Sequence, residues 1–345
     1  MPCRMAEQGY SPGSCLVEMP DGTRRPACQA TLKRERGEWW RLIEAMQLSR
    51  PEDYLSIYQS GCNHSCLKCH SAEFTQRYRG YWASTSQLAE EAARYEDAVT
   101  VWEPRERALM FYASDLCRHC GLCATTGLRG PRCPSVLSPV QVVPSVQGWG
   151  PARNIVAFTG GDVACVPEFY AEAAERIKDA CSRVWVLLET NGFGLTKQNL
   201  EVLASGGVDA FWLDIKAYDR ELYRRLCGAD NETVLKAPEL IVDMGFMLEA
   251  LTVYIPGWVE VEEFKRIAEL LASVDPDIPF TVLAFFPAHK LSDVRPPNVL
   301  ELAKAVAAAR EAGLKKVRVG NVGMAAKTVE ELRLLEALVR DDAIA

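Results

Sequence analysis

Three cysteines stand close together at Cys62, Cys66 and Cys69, in a C-x3-C-x2-C run just past a predicted strand. This spacing can hold three irons of a [4Fe–4S] cube by thiolate, and it leaves the fourth iron without a protein ligand. A cluster closed by four cysteines mainly transfers electrons, whereas an open iron can also bind and activate a substrate. A zinc knuckle or a set of buried thiols is the alternative, because short cysteine patterns also occur in zinc sites.

A second group of cysteines follows at Cys117, Cys120, Cys123 and Cys133, with Pro134 directly after the last one. The spacing resembles that of a bacterial ferredoxin, although nine residues precede the last cysteine here and roughly three do in a ferredoxin. C-x2-C-x2-C is tighter than typical zinc spacing, so the pattern favours an auxiliary [4Fe–4S] cluster over tetrahedral zinc. Such a cluster could pass electrons inward or hold a substrate.

Polar segments end three predicted strands. They are Gly160, Gly161 and Asp162, then Glu189, Thr190 and Asn191, and finally Asp214 and Lys216. Paired glycines let a ligand approach the backbone closely, and Asp162 adds an acceptor for an ammonium group. Asp214 and Lys216 stand two residues apart in a strand and therefore face the same side. An ordinary turn for Gly-Gly-Asp, and a salt bridge that orders a loop for Asp214 and Lys216, are the alternatives.

Short apolar runs alternate with amphipathic runs from residue 53 onward. The strand candidates are Tyr54–Tyr58, Asn154–Thr159, Val184–Glu189, Ala210–Ile215, Met247–Ile255, Phe280–Phe286 and Lys316–Gly320. The helix candidates are Gln87–Val99, Pro167–Ala180, Thr196–Ala204, Glu232–Met244, Val261–Ser273 and Pro297–Ala312. This alternation predicts βαβ units with parallel strands, closed or partly closed into an α/β barrel whose chemistry sits at the carboxyl ends of the strands.

Three parts of the chain are predicted. Residues 1–52 form an irregular, cysteine-containing N-terminal extension that ends in a short helix around Trp39–Leu48. Residues 53–345 form the barrel. Within it, residues 100–150 form an insert that is dense in Cys, Gly and Pro and far longer than a normal connection.

Composition narrows the classes of function. The chain has 345 residues, a net charge of −7 and a pI near 5.4, values that argue against a nucleic-acid binder or an anionic-membrane binder. It contains no apolar stretch of membrane-spanning length, and its first residues lack the apolar core of a signal peptide. A cytoplasmic location is therefore expected. Disulfides are rare in that compartment, so the 13 cysteines point to metal.

The motifs, in this order, resemble those of the radical S-adenosylmethionine (SAM) superfamily, whose hallmark is the C-x3-C-x2-C run. From about residue 154 to 322 the chain resembles the pyruvate formate-lyase activating enzymes, a glycyl-radical activating group, in four segments: FWLDIKAYDRELYRRLCGADNETVL, VYIPGW, FFPAHKLSDVRPP and VRVGNVG. The last two segments most resemble a branch often encoded beside Memo-like and AMMECR1-like proteins. The implied fold is a partial (β/α)6-type radical SAM barrel with a ferredoxin-like insert.

The resemblance also implies a chemistry. SAM would chelate the open iron held by Cys62, Cys66 and Cys69, the catalytic cysteines, and an electron would split it into methionine and a 5′-deoxyadenosyl radical. The Gly160–Asp162 segment matches a Gly-Gly-Glu-type motif that binds the methionine amino group. The segments 189–191 and 214–216 match SAM contacts. A monovalent cation beside SAM is in doubt, because Glu189 replaces the usual Asp.

Partners follow from the same resemblance: a reductant such as ferredoxin or flavodoxin, and a protein substrate that receives a glycyl radical. Two departures leave the substrate open. Lys68 stands where an aromatic residue is usual, and CHSAEFTQ follows where CHNP is more common. A radical SAM enzyme that transforms a small molecule, peptide or RNA is therefore an alternative. An electron carrier without catalysis and a zinc-stabilised interaction protein are the others.

The N-terminal extension poses a separate question. Cys3, Cys15 and Cys28, within GSCLVEMPDGTRRPACQ, faintly resemble the cysteine loop of [2Fe–2S] ferredoxin domains. Such a loop needs four ligands and this one has three, so a third metal site and a stripped remnant both stay open. Cys165 is interpreted as a packing residue, with hydrogen-atom donation or substrate binding as the alternative. His64, His70 and His119 border the clusters and are expected to tune hydrogen bonding.

Overall fold

The computed structural model describes residues 3–340 and 343–344. Its strands are β1 Leu16–Glu18, β2 Arg24–Pro26, β3 Leu32–Glu35, β4 Glu38–Ser49, β5 Tyr54–Gln59, β6 Tyr81–Ser84, β7 Val143–Ser145, β8 Gly148–Gly150, β9 Ile155–Gly160, β10 Trp185–Thr190, β11 Ala210–Asp214, β12 Met247–Tyr254, β13 Phe280–Ala284 and β14 Val317–Gly320. Its α-helices are α1 Arg4–Glu7, α2 Ala27–Ala30, α3 Ala72–Thr75, α4 Thr85–Glu96, α5 Ala113–Leu116, α6 Leu122–Thr126, α7 Pro167–Ala180, α8 Lys197–Ser205, α9 Arg220–Cys227, α10 Glu232–Asp243, α11 Val261–Val274, α12 Val299–Glu311 and α13 Val329–Val339.

A sheet of parallel strands forms the centre of the molecule, in the order β14-β13-β12-β11-β10-β9-β5. Helices α7, α8, α10, α11 and α12 lie between successive strands of the chain, as expected for βαβ units. The strands are apolar and largely buried. Helices cover one face of the sheet, and side chains of the residue 100–150 insert pack on the opposite face. All seven strand predictions are confirmed to within about two residues.

The sheet stays open among the described residues, so the fold is a partial α/β barrel. Strand β14 lies at one end, and antiparallel β4, paired with β3 and β6, extends the other. The predicted helix at Trp39–Leu48 is wrong, because these residues belong to β4. The reason is tertiary: β4 pairs with β3, β5 and β6, and Trp39, Leu42 and Ile43 are buried in the resulting sheet.

The N-terminal extension is thus not irregular throughout, since β3 and β4 belong to the main sheet. A second small hairpin, β1 with β2, pairs Leu16 with Pro26. A bulge between Ile43 and Ala45 shifts the register of β4 against β5. The extension is therefore continuous with the barrel at β5.

The insert reaches the interior of the barrel. Its residues Ala108, Leu109 and Met110 pack on the inner face of the sheet, against side chains such as Leu187 and Leu251. Further ties come from Glu249, which accepts the backbone N–H groups of Met110 and Phe111 at 2.9 and 2.7 Å, and from Arg318, which donates to Ser114 at 2.7 Å. The insert therefore supplies the floor of the space enclosed by the strands.

Among the helices of the described chain, none combines the length and the apolar character needed to cross a membrane.

Candidate active site

A cavity of about 470 Å³ opens at the carboxyl ends of the parallel strands. Its walls include most of the residues that the sequence singled out, namely Cys62, Cys66, Cys69, Cys117, Gly160, Asp162, Glu189, Thr190, Asn191, Asp214 and Lys216. The remaining candidates, Gly161, Cys120, Cys123 and Cys133, lie outside this lining. Residues far apart in sequence meet here because parallel strands bring their carboxyl ends to one edge of the sheet.

The first cysteine run follows β5 directly and is tied down by the backbone. Asn63 N donates to Asp162 O at 2.8 Å, Ser65 N to Cys227 O at 3.0 Å, and Leu67 N to Leu226 O at 2.8 Å. These bonds fix the loop between the end of β9 and the end of α9. Cys66 is buried, and Cys62 and Cys69 are half-buried.

His64 anchors this loop. Its ring nitrogens lie 2.8 Å from Asn63 Oδ1 and 2.9 Å from Tyr223 Oη, and its ring meets Phe193 edge-on at 5.4 Å. Burial lowers the pKa of His64 to about 3, so the imidazole is neutral at physiological pH. His64 therefore holds the cysteine loop in position from its buried side.

The paired glycines allow two stretches of backbone to cross. A Cβ at Gly161 would collide with the carbonyl of Gly61, the residue before the first cysteine, and Gly160 has φ +84°. Gly161 therefore allows the loop after β9 to pack on the backbone at Gly61, whereas Gly160 lines the cavity.

The carboxylate of Asp162 is hydrogen-bonded to neighbouring groups of the chain. Its carboxylate accepts bonds from Ala164 N at 2.8 Å, Thr190 Oγ1 at 2.7 Å and Asn191 N at 2.9 Å. Thr190 also accepts a bond from Gly192 N at 3.0 Å. Asp162 lies in the cavity wall, and its bonds hold the ends of β9 and β10 together.

Asn191 connects the end of β10 to the first cysteine. Its Nδ2 donates to Asn63 Oδ1 at 2.7 Å and lies 3.7 Å from Cys62 Sγ. Burial raises the pKa of the Cys62 thiol, and the charge of Asp162 raises it further. An amide N–H so close to the sulfur can stabilise a thiolate there.

Asp214 and Lys216 form an ion pair inside the cavity, and Lys68 Nζ lies 3.8 Å from the same carboxylate oxygen, Asp214 Oδ2. Burial opposes ionisation of Asp214, but the two ammonium groups outweigh it and hold the pKa of the carboxyl below its usual value. The other oxygen, Oδ1, is buried and has no hydrogen-bond partner. A buried acceptor without a donor is costly, so this oxygen is suited to accept a bond from a ligand.

Glu189 lies deeper, where Tyr54 Oη donates to it at 2.8 Å and the Thr159 hydroxyl donates to its other oxygen. Burial raises the pKa of Glu189 to about 8, and the charge of Glu52 adds to the rise. Burial also raises the pKa of Glu52 to about 7. These two carboxyl groups share a region in which the charged form is disfavoured.

Glu189→Gln tests this environment. Between the ordinary value of 4.5 and about 8, the native state binds more protons at this carboxyl than the unfolded state, so its contribution to stability falls as the pH rises. A neutral Gln does not titrate. Relative to the wild type, we expect the free energy of unfolding of the variant to rise by on the order of 4 kcal/mol between about pH 5 and about pH 9. Urea unfolding at each pH measures this change.

The exposed residue Glu262 on α11 provides the control through Glu262→Gln. The free energies of unfolding of both variants are compared with that of the wild type at each pH. A pH-independent difference for Glu189→Gln would show that Glu189 does not titrate in this range.

The second cysteine group belongs to the insert, and its first member, Cys117, lines the same cavity. Cys117 and Cys123 are buried, Cys120 is exposed and Cys133 is half-buried. Burial raises the pKa of Cys117, and the nearby thiols of Cys123 and Cys120 raise it further. A Cβ at Gly130 would lie 3.4 Å from Cys120 Sγ. The turn from Gly130 to Cys133, closed by a 3.0 Å backbone bond, therefore lies beside Cys120.

Arg41 is a site residue that the sequence reasoning missed. Its fully buried guanidinium donates to Thr31, to Gln59 Oε1 at 3.2 Å, and to the carbonyls of Gly61 and Gly161 at 3.1 and 3.2 Å. It therefore joins the extension to both loops beside Cys62. The only available signal was a charged residue inside the apolar run WWRLI.

The cavity combines cysteine thiols with an unpartnered polar oxygen. Among residues 3–340 and 343–344, no three His, Cys, Asp or Glu side chains are arranged to hold a single metal ion. The three cysteines of the first run nevertheless line one cavity, and the cavity also contains the unpartnered Asp214 Oδ1. Thiolates for iron and a polar acceptor for a second ligand are thus present together. The residues fit a [4Fe–4S] cluster with SAM.

Comparison with known proteins gives a family match. Residues 115–271 match the sequence profile of the radical SAM superfamily. The match begins beside the second cysteine group and does not include residues 62–69. In the structure, the strand-end residues of the matched region line one cavity with the first cysteine run.

Three curated proteins are similar over part of the chain. An uncharacterized protein of Methanocaldococcus jannaschii is 31% identical over 135 residues, 39% of each chain. A second protein of that organism, provisionally named a glycyl-radical enzyme activating enzyme, is 28% identical over 139 residues, 39% of this chain and 51% of the relative. The 4-hydroxyphenylacetate decarboxylase activating enzyme of Clostridium scatologenes is 32% identical over 93 residues, 27% of this chain and 28% of the relative.

The chain thus spans at most about half the length of the curated relatives that it matches. The matched residues nevertheless carry β9 to β12 and the cavity residues at the ends of β9 to β11. The chain therefore carries a domain of the radical SAM superfamily and is related to proteins named as activating enzymes.

Proposed function

We propose that the chain is a radical SAM enzyme that reductively cleaves SAM and abstracts a hydrogen atom from a protein partner, as a glycyl-radical activating enzyme would. The observation that carries the proposal is the shared cavity. It brings the C-x3-C-x2-C run together with the polar ends of β9, β10 and β11. The names of two relatives support the activating type.

Cys62, Cys66 and Cys69 would hold a [4Fe–4S] cluster through three thiolates. When bound, this cluster would supply the electron that splits SAM into methionine and a 5′-deoxyadenosyl radical. The chain's own task is to position the reactants and exclude water. Apolar side chains in the cavity wall, among them Trp212 and Phe285, serve that exclusion.

Two polar groups of the cavity would orient SAM. Asp214 Oδ1 would accept a bond from a hydroxyl or amino group of the ligand, since it is buried without a donor. Lys216 keeps that carboxyl ionised. Asp162 would act mainly through Thr190 and Asn191, which it holds in place.

The second cysteine group would bind an auxiliary [4Fe–4S] cluster. Cys117 lines the cavity that also contains the first run, which would place the two clusters side by side. A reductant such as ferredoxin or flavodoxin would then deliver electrons through the auxiliary cluster. His119, with Nε2 at 2.9 Å from Asp53 Oδ2, anchors this part of the insert to the turn before β5.

The proposal is tested on the full chain, purified anaerobically and loaded with iron and sulfide. We expect at least about eight irons per chain and formation of 5′-deoxyadenosine from SAM after reduction with dithionite. A fully loaded, reduced protein that forms no 5′-deoxyadenosine would contradict the proposal. A colourless protein that binds only zinc would instead support an interaction protein.

Asp214→Asn should weaken SAM binding. The change removes the charge that pairs with Lys216 and leaves two ammonium groups, Lys216 and Lys68, facing each other. We expect the dissociation constant of SAM to rise about tenfold or more, which corresponds to about 1.4 kcal/mol. Anaerobic calorimetry on the cluster-loaded protein measures it. Asp277→Asn, at an exposed ion pair with Lys315, is the matched control, and equal constants for both variants would refute the role of Asp214.

A further inference from the structure

We propose that Cys3, Cys15, Cys28 and Cys165 together bind a third iron–sulfur cluster. The extension supplies three of these cysteines, and the loop after β9 supplies the fourth. All four are free thiols, half-buried, and packed against the main apolar core. This site goes beyond the proposed function and does not depend on it.

The β1–β2 hairpin brings Cys15 and Cys28 together. Leu16 pairs with Pro26 at the open end of the hairpin, and Ala27 N donates to Cys15 O at 2.6 Å. Cys15 directly precedes β1, and Cys28 lies in α2 just after β2. Both cysteines therefore lie at the same end of the hairpin, the open one.

Helix α1 carries Cys3 to the barrel. Cys3 caps this helix, and the next residue, Arg4, forms an ion pair with Glu168 at 2.9 Å. Glu168 stands only three residues after Cys165. Gln8, just past the same helix, donates to Asn199 at 3.0 Å. The helix is thus fixed beside the start of α7, where Cys165 lies.

A second contact ties the extension to the Cys165 loop. A Cβ at Gly13 would lie 3.3 Å from the ring of Phe193, and a Cβ at Gly194 would collide with the backbone N of Cys165. Gly13 stands two residues before Cys15. The chain around Cys15 is therefore packed on a turn that itself packs on Cys165.

The electrostatics of the thiols agree with this geometry. Burial raises the pKa of Cys165 well above its ordinary value, and the thiol of Cys28 adds to that rise, as do Cys15 and Cys3. Burial likewise raises the pKa of Cys28, with Cys15 and Cys3 adding to it. Thiolates held this close repel one another, so bound iron would supply the positive charge that they lack.

The position of the four cysteines favours a cluster over a structural zinc ion. Cys165 follows Asp162 by three residues, and Arg41 feels the charges of both Cys62 and Cys165. The proposed centre thus lies behind the Gly160–Asp162 loop, next to the first cysteine run. Met5 and Val17 belong to the apolar core against which the four cysteines pack, and each is at most 1% exposed. A shielded thiolate site beside a redox cofactor is suited to an iron–sulfur cluster.

The experiment compares iron, sulfide and zinc in the full-length wild type, Cys165→Ser and Cys28→Ser after anaerobic loading. Each variant should lose about two to four irons per chain. The double variant, which carries both Cys165→Ser and Cys28→Ser, should lose no more iron than either single variant. Cys181→Ser, at a buried free cysteine outside the cluster, should keep the wild-type iron. Circular dichroism verifies folding, and Cys15→Ser replaces any variant that does not fold.

A folded Cys165→Ser protein with the iron content of Cys181→Ser would overturn the proposal. A loss of zinc in place of iron would overturn the assignment to an iron–sulfur cluster. A loss confined to the extension variants would exclude Cys165 as the fourth ligand. Failure of SAM cleavage in the wild type would leave these metal counts unaffected, so the outcome is distinct from that for the proposed function.

Discussion

Cys66→Ala is expected to reduce 5′-deoxyadenosine formation to below about one-thousandth of the wild-type rate, because the hard chemistry belongs to the cofactor that this thiol would hold. Cys66 is the most buried of the three cysteines of the first run. A water molecule has little access to replace it as a ligand. The iron content should also fall, by up to about four per chain. High-performance liquid chromatography of reaction mixtures and iron counts measure both effects.

Cys181→Ala provides the control, since Cys181 is also buried but lies at the end of α7, away from the cavity. It should retain both cleavage and iron. Cleavage by Cys66→Ala at a rate near that of Cys181→Ala would show that SAM reacts elsewhere. The second cysteine group, where the superfamily match begins, would then become the candidate.

Arg41→Met should lower the free energy of unfolding by about 3–5 kcal/mol, because several buried acceptors lose their donor at about 1–3 kcal/mol each. The guanidinium donates to Gln59 and to the carbonyls of Gly61 and Gly161. A methionine fills similar space but leaves these acceptors buried without donors. Urea unfolding under anaerobic conditions, without added cluster, measures the loss.

The same substitution at Arg34, on the neighbouring strand β3 but exposed, should change the stability by less than about 0.5 kcal/mol. Arg41→Met should also reduce iron binding by the first cysteine run, because the carbonyls of Gly61 and Gly161 flank Cys62 and Asp162. A loss of stability below about 1 kcal/mol would mean that water or another donor satisfies these carbonyls.

Much of the barrel could be predicted because its signals are local. The apolar runs at 155–160 and 185–190 carry the residues of a strand buried on both faces, and Pro167–Ala180 has the helical period and a proline in its first turn. The polar strand ends could be placed at one edge, since parallel strands share the direction of their carboxyl ends. In the structure Asp162, Asn191 and Asp214 line the same cavity at that edge.

Strand β4 could not be predicted in this way. The run from Glu38 to Ser49 has apolar residues that fit a helix or a strand equally, and short apolar runs do not separate the two by period. The open edge of β5 selected the strand, and that edge exists only after the barrel has formed. The path of the insert, from Ala108 to Met110 on the inner face of the sheet, depends in the same way on a surface built by distant residues.

The amino-acid sequence was sufficient to identify the cysteine runs, their order and the parallel α/β architecture, because thiol spacing and hydrophobic period are properties of neighbouring residues. Three relations required the folded chain. Arg41 joins the loops of Gly61 and Gly161, Asp214 keeps one buried oxygen without a donor, and the cysteines of the extension raise the pKa of Cys165 beyond the effect of its burial. Each depends on residues brought together across tens to hundreds of positions, and burial then sets their charge and their need for a partner.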